Sequence, residues 1–334
     1  MDNLTHGLAG YLLSRAGFSR LCPRAGVILV LASELPDVDL VSALWGPDVY
    51  LDYHRGFTHS VLAAPLLAAV PALAAGLWRR PAGYGWAAAW LLSLVGLLGH
   101  YALDWTNIYG IRLLSPVSQR WFRADITSVI DPWIWAVLLF GAGWPLLSRL
   151  VSTEIGAKPA SGAGAARAAL ALLMLYETGR YVLHARAVET VSAHHYDGRL
   201  PRRAMALPSL ANPWRWTGLL DFGDSWRIQQ VDLREEYDPE RGSIHYQARE
   251  TDAVRAAAQT YPFQALQRFS QTLRWEAVQM PEPEGMVRVS AKDMRFGRPA
   301  DHQFEAVALV SAADGQVRKA WFQFSEPGKP PVPR

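Results

Sequence analysis

Cysteine is nearly absent: Cys22 is the single one in 334 residues. One thiol excludes both an intramolecular disulfide and a Cys-rich zinc site. Charge is scarce as well, with Asp, Glu, Lys and Arg at 19% of the chain and a formal net charge of only +3. The basic residues are scattered, and no basic helix or aromatic-interleaved patch supplies the footprint of nucleic-acid binding, so no nucleic-acid partner is expected. A cleavable signal peptide is not expected either. Asp2 and His6 stand where a positively charged start belongs, and the first apolar run, Leu8 to Leu13, is short.

What the chain does have is apolar sequence, at 50% of its residues, concentrated before about Leu183. A bilayer core requires roughly 20 mostly apolar residues per helix, because unpaired backbone groups are costly in lipid. Four stretches meet that length: Ser60 to Trp78, Trp86 to Asp104, Pro132 to Leu150 and Ala165 to His184. Pro65 and Pro71 in the first are tolerable where neighbouring membrane helices re-satisfy the backbone. Leu4 to Ala16 and Arg24 to Glu34 are too short to cross and read as interfacial helices capping the bundle.

Past His184 the composition turns polar and the pattern turns to strands: 225–233, 243–249, 273–280, 286–291, 304–310 and 317–324, with Asp314-Gly315 as a hairpin turn between the last two. Ala253 to Phe269 reads as one amphipathic helix. The expected architecture is therefore mainly α: a polytopic membrane helical bundle of about four spans with short interfacial N-terminal helices, then a small soluble α+β domain with an antiparallel sheet. Its expected divisions are a membrane domain 1–184, a connector 185–220, a soluble domain 221–328 and a tail 329–334.

The ionisable residues His6, Glu34, Asp37, Asp39, His54, His59, His100 and Asp104 avoid the middles of the expected spans. His59 precedes the first span and the pair His100 and Asp104 closes the second, so antiparallel crossing delivers both groups to one membrane face. His100 and Asp104 are four residues apart, which places them on one helical face with metal-ligand spacing. His54 and His59, five apart, fit one face poorly, so at least one belongs to the turn 55–58. Pro36 ends the helix before Asp37 and Asp39 and leaves both carboxylates on a loop that can bend inward.

Imidazoles with carboxylates and no thiolates suit zinc, manganese or iron in a hydrolytic site. Seven candidate ligands, His6, Asp37, Asp39, His54, His59, His100 and Asp104, exceed the needs of one tetrahedral ion and suit one or two, two such ions lying about 3.5–4 Å apart. Each has a plainer reading: an interfacial His6, turn-capping Asp37 and Asp39, a polar pocket around His54 and His59. Ionisable groups at membrane depth, however, default to function. Glu34, the one glutamate before Glu154, is a candidate general base, and Arg55 a candidate anion holder. Asn107 and Asp131 are placed to steady the ligands or simply to make turns.

These same residues carry a resemblance. Asp2-Asn-Leu-Thr-His6-Gly, Leu35-Pro-Asp-Val-Asp39, His54-Arg-Gly-Phe-Thr-His-Ser60, Gly99-His-Tyr-Ala-Leu-Asp104, Asp131-Pro-Trp133 and Asn212-Pro-Trp-Arg-Trp216 resemble, in this order, the YdjM-like family of bacterial inner-membrane proteins described as metal-dependent hydrolases. The resemblance covers about the first 220 residues. It implies a multi-pass inner-membrane protein whose metal site is built from the seven ligands above, and a reaction class with a suggested likeness to zinc phospholipases C, but no substrate.

The leading expectation is a metal-dependent hydrolase acting on a lipid or a membrane-proximal ester, plausibly a phosphodiester. A non-catalytic metal-binding or transport protein is the alternative, though transport wants a site near mid-membrane reachable from both sides. A third reading makes the C-terminal domain an interaction module on a passive anchor. Lys and Arg in the loops 79–85 and 149–164 favour those as cytoplasmic and put the metal site and the C-terminal domain on the periplasmic face.

Overall fold

The computed structural model describes residues 1–77, 80–156, 161–297 and 303–324. The expected tail 329–334, Trp78 and Arg79 at the end of the first expected span, and Lys158 lie outside the described residues. The chain divides into two compact units. The first comprises Met1–Asp39, Arg55–Ala185 and Pro208–Arg215; the second comprises Leu40–His54, Arg186–Leu207 and the remainder from Trp216.

The first unit is helical. Helix α1 (Asn3–Ala16) is capped by Asp2, whose carboxylate accepts the Thr5 amide, and α2 (Ala25–Glu34) hands over at Leu35 to a 3-10 helix, Leu35–Trp45. Pro36 supplies the reason, since it has no amide to continue an α-helix. After α3 (Pro47–Tyr53) the stretch before Leu77 is broken into α4 (Ala64–Leu67) and α5 (Ala69–Leu77). Two long helices, α6 (Trp86–Thr106) and α7 (Pro132–Ile155), are followed by α8 (Ala163–Ser192).

Among the described residues, α6 and the Pro132–Glu154 part of α7 are long and apolar enough to cross a membrane, and a third span results only if the broken stretch before Leu77 counts as one bent crossing. Four spans are thus not confirmed; two or three candidates stand among the described residues. In the first expected span, residues 60–63 are not helical, Pro65 lies in the first turn of α4 and Pro71 lies inside α5. In α8, Arg167, Glu177 and Arg180 dilute the apolar run, and Arg180 turns inward, buried, with its Nε 2.9 Å from the Ile126 carbonyl. Leu172, Met174 and Leu175 on the same helix remain exposed.

The packing of α2 positions the site. A Cβ at Gly10 of α1 would stand 2.8 Å from the Leu29 carbonyl, and one at Gly96 of α6 would stand 2.7 Å from the Ala32 Cβ. Helix α2 is thus pressed between α1 and α6 through glycines, the close approach that small residues permit in membrane bundles. Ala32, Leu97, Tyr101 and Ile111 form one buried cluster, and Leu12, Leu103, Ile134 and Leu138 another.

The second unit is antiparallel β with two short helices. Its strands are β1 (Arg203–Pro208), β2 (Arg215–Asp221), β3 (Ser225–Asp232), β4 (Gly242–Tyr246), β5 (Leu273–Gln279), β6 (Met286–Asp293), β7 (Glu305–Ser311) and β8 (Val317–Gln323). They form two four-stranded sheets, β1-β2-β3-β4 and β5-β6-β7-β8, where one sheet was expected. Strands β1 and β2 occupy residues read from the sequence as connector. The single helix expected over 253–269 is two, α9 (Asp252–Ala258) and α10 (Tyr261–Phe269): Thr251 caps the first, and Pro262 in the first turn of α10 restarts the second. Gly315, at φ +68°, makes the expected hairpin turn. Helix α3 belongs to this unit, where Asp52 accepts from Arg268 at 2.8 Å and from the Tyr261 hydroxyl at 3.2 Å.

Candidate metal centre

Gly96 and His100 are one turn apart on α6, so the close approach at Gly96 carries His100 to the C-terminal end of α2. The last carbonyls of a helix have no partner within it, and that of Ser33 stands 2.7 Å from His100 Nδ1. A carbonyl only accepts, so Nδ1 carries the proton and the neutral ring presents a lone pair at Nε2.

His59 is fixed in the same way from another element. Arg55 adopts φ +55°, and its amide donates to Asp39 Oδ2 at 2.8 Å. That turn leads into the 3-10 helix Phe57–His59. Thr58 Oγ1 donates to the same carboxylate oxygen at 2.6 Å, and His59 Nδ1 lies 3.1 Å from Thr58 Oγ1 and 3.3 Å from Asp39 Oδ2. With two acceptors beside Nδ1, the proton sits there and the lone pair again sits on Nε2.

The two Nε2 atoms face each other at 3.1 Å. Two lone pairs at that distance repel unless a cation stands between them. Asp104 Oδ2 is 3.3 Å from both, and Asp37 Oδ1 is 3.4 Å from His59 Nε2 and 3.8 Å from His100 Nε2. All four donor atoms lie within 4.8 Å of one another, on residues that are all buried. A tetrahedral zinc with bonds of roughly 2.0–2.2 Å holds its donors about 3.3–3.6 Å apart, so the four fit one such ion closely.

The unfilled hydrogen-bonding capacity points the same way. Asp104 Oδ2 and both ring nitrogens of His6 are buried without a hydrogen-bond partner, a state that costs about 1–3 kcal/mol per group when nothing satisfies it. The other oxygen, Asp104 Oδ1, is fully engaged. It accepts from the Met1 amino group and from Asn107 Nδ2 at 3.3 Å, and it pairs with Arg55 Nη2 at 3.0 Å. Arg55 therefore neutralises and orients Asp104, leaving Oδ2 for an ion.

Of the other sequence candidates, His6 Nε2 reaches Asp104 Oδ1 at 3.3 Å and its ring stacks on His100, centroids 3.6 Å apart. Burial first, then the nearby His100, N-terminus and Arg55, holds His6 well below its ordinary pKa and so neutral. Asp39 is placed to orient His59. Asn107 joins the cluster through Asp104 while its Oδ1 accepts from Arg55 Nη1 at 3.2 Å and from the Tyr109 amide at 2.8 Å. Asp131 instead caps α7, accepting the Trp133 and Ile134 amides at 3.0 and 3.2 Å. His54 ends α3 in the second unit, buried and stacked on Tyr50 at 4.6 Å.

Glu34 stands beside the group. Asn3 Nδ2 donates both to Glu34 Oε2 at 3.0 Å and to Asp37 Oδ2 at 3.1 Å, tying the two carboxylates together. Burial raises the Glu34 pKa, with the Asn3 hydrogen bond acting against it. The sequence reading did not single out Asn3, Ser33, Thr58 or the Met1 amino group. Asn3 and Thr58 carried a signal, as members of the quoted motifs 2–7 and 54–60.

A family model described as "YdjM inner membrane protein" matches residues 1–187, a range that contains every residue of the cluster. The Bacillus subtilis (strain 168) protein described as "Uncharacterized protein YfhP" is 31% identical over 144 residues, which cover 40% of this chain and 43% of that protein. The alignment thus spans less than half of that relative's length. No solved structure matches.

If Asp39 orients His59 and does not itself bind, Asp39→Ala lowers zinc affinity by about 10–100-fold, the range for losing such a partner. Competition against a chromophoric chelator in detergent measures it. Unchanged affinity contradicts the orienting role, and complete loss of binding makes Asp39 a ligand.

Proposed function

The chain belongs to the YdjM inner membrane protein family, and from that premise we propose that it is a metal-dependent hydrolase of a lipid or membrane-proximal ester, plausibly a phosphodiester. The observation that carries the reading is the convergence of His59 Nε2, His100 Nε2, Asp104 Oδ2 and Asp37 Oδ1 at near-tetrahedral spacing. Zinc is the first choice of ion, with manganese or iron as others, since nitrogen and oxygen donors without sulfur suit all three.

A divalent ion there would lower the pKa of a water from about 15.7 toward roughly 7 and polarise a substrate oxygen. The remaining work falls to the chain. His59, His100 and Asp104 would hold the ion, with their orientations set by Asp39, the Ser33 carbonyl and Arg55. Asp37, the donor standing furthest from His100, would be the one to leave room for water. Glu34, with its raised pKa and its link to Asp37 through Asn3, would serve as the base that accepts a proton from water and returns it to the leaving group. Because Arg55 is committed to Asp104, its part is to set the charge of that ligand and not to grip substrate.

A second reading has one observation in its favour: four protein donors around one tetrahedral ion make a closed site, the pattern of structural zinc. That reading is a non-catalytic metal-binding protein. The two separate on elemental analysis combined with turnover. Purified protein is expected to hold stoichiometric zinc, manganese or iron, lost in His59→Ala and His100→Ala. Glu34→Gln is expected to keep the metal and lose about 10²–10⁴ in kcat on a detergent-solubilised bis-p-nitrophenyl phosphate or ester probe. Metal-loaded protein without turnover favours the second reading, and protein without metal removes both.

We place the cluster on the periplasmic side, from the basic residues Arg79, Arg80, Arg149 and Lys158 in the loops assigned to the cytoplasm. In a Cys22→Ser background, Gly83→Cys should resist an impermeant maleimide added to intact cells. Labelling from outside reverses the orientation.

A further inference from the structure

A cleft of about 430 Å³ opens beside the cluster between α2 and α5. Its walls are Leu31 and Leu35 from the end of α2, Val38 from the 3-10 helix, and Val70, Pro71 and Ala74 from α5; at one end lie Asn3, Glu34 and Asp37. The apolar walls bear no hydrogen-bonding side chain. The polar end holds the candidate base and one of the four donors.

We infer that this cleft is an acyl-chain subsite, taking one hydrocarbon chain of a bilayer lipid whose headgroup linkage lies at Glu34 and Asp37. Three features select that occupant. First, Leu31, Val38 and Val70 are 43%, 57% and 49% exposed, so the wall is open. Second, the opening is continuous with further exposed apolar side chains on the same helices, Val27 on α2 and Leu66, Leu73 and Leu77 on α4 and α5. In an inner-membrane protein such a contiguous surface faces hydrocarbon, not water. Third, the polar lining is one connected patch, Asn3 donating to both Glu34 and Asp37, beside an otherwise apolar wall, which matches a lipid's headgroup linkage beside its chain. A water-soluble polar substrate would find no hydrogen-bonding partner along those walls. The volume falls within the roughly 300–1,000 Å³ of ordinary ligand sites.

The subsite rests on the hydrolase reading for its headgroup end and stands independently of it for its chain end. Lipid then arrives sideways from the bilayer, chain first along α5, and meets the carboxylates without leaving the membrane. Leu31, Val38, Val70 and Ala74 discriminate by chain, and Glu34 and Asp37 meet the linkage.

The test is a labelling experiment on the full chain in nanodiscs of phosphatidylethanolamine and phosphatidylglycerol, doped with a phospholipid carrying a diazirine on its acyl chain. After photolysis, peptide mapping should find adducts concentrated at Leu31, Val38 and Val70, above the level on the outward α7 residues Phe140 and Leu147. Ala74→Trp, which fills the cleft, should reduce the cleft adducts several-fold and leave those on α7 and the bound metal unchanged. The labelling should survive chelation, because the chain end does not need the ion. Cleft adducts no more frequent than those on α7, or insensitive to Ala74→Trp, would mean ordinary annular lipid and overturn the subsite. Cleft labelling in a protein that hydrolyses nothing would leave the subsite standing and fail the hydrolase reading alone.

Discussion

Two imidazole nitrogens 3.1 Å apart and flanked by two carboxylate oxygens form a buried group that could hold a metal ion, and the rest of the site is organised around it. The Nδ1 protons are committed elsewhere: that of His100 to the Ser33 carbonyl, and that of His59 to Thr58 and Asp39. The polar groups around the pair act to maintain this arrangement. Asp104 gives one oxygen to the Met1 amino group, Asn107 and Arg55 and keeps the other bare. A divalent ion between these donors would satisfy all of them at once.

The helix packing serves that arrangement. Glycines at 10 and 96 let α1 and α6 close on α2 until a helix-end carbonyl lies within hydrogen-bond reach of His100. A bulkier residue at 96 would push α6 off α2, separating His100 from the group that sets its tautomer. The left-handed Arg55 and the Asp39 carboxylate perform the matching task for His59 from a loop. The ligands therefore come from the 3-10 helix after α2, a second 3-10 turn and a long helix, each fixed by a different local device.

Much of this was legible in the sequence. The four-residue spacing of His100 and Asp104 and the five-residue spacing that kept His54 and His59 off a common helical face foretold local structure that was found; the α-helix does end at Pro36, but Asp37 and Asp39 lie on a 3-10 helix and not on the expected loop. The sequence could not separate Asp37 from Asp39, because which of two neighbouring carboxylates turns inward depends on the Arg55 amide 16 residues away. Backbone partners such as the Ser33 carbonyl have no signature of their own. The four spans are not confirmed for a related reason. Hydropathy sums over a helix without knowing that Arg180 of α8 points inward, or that residues 60–63 leave the helix ahead of Pro65. The stripe that suggested one helix over 253–269 is real, but it is carried by two helices joined at Thr260 and Pro262.

Under the proposed function the metal, the base and the cleft would act together where lipid chain meets polar headgroup, and the metal is the part on which the others depend. X-ray absorption at the edge of the bound metal, on protein purified in detergent, reads its coordination directly. The account predicts, for zinc, a shell of nitrogen and oxygen at about 2.0–2.2 Å with the outer-shell scattering of two imidazoles, and that scattering diminished in His59→Ala. A shell containing sulfur, or one of water oxygens without imidazole, would contradict it.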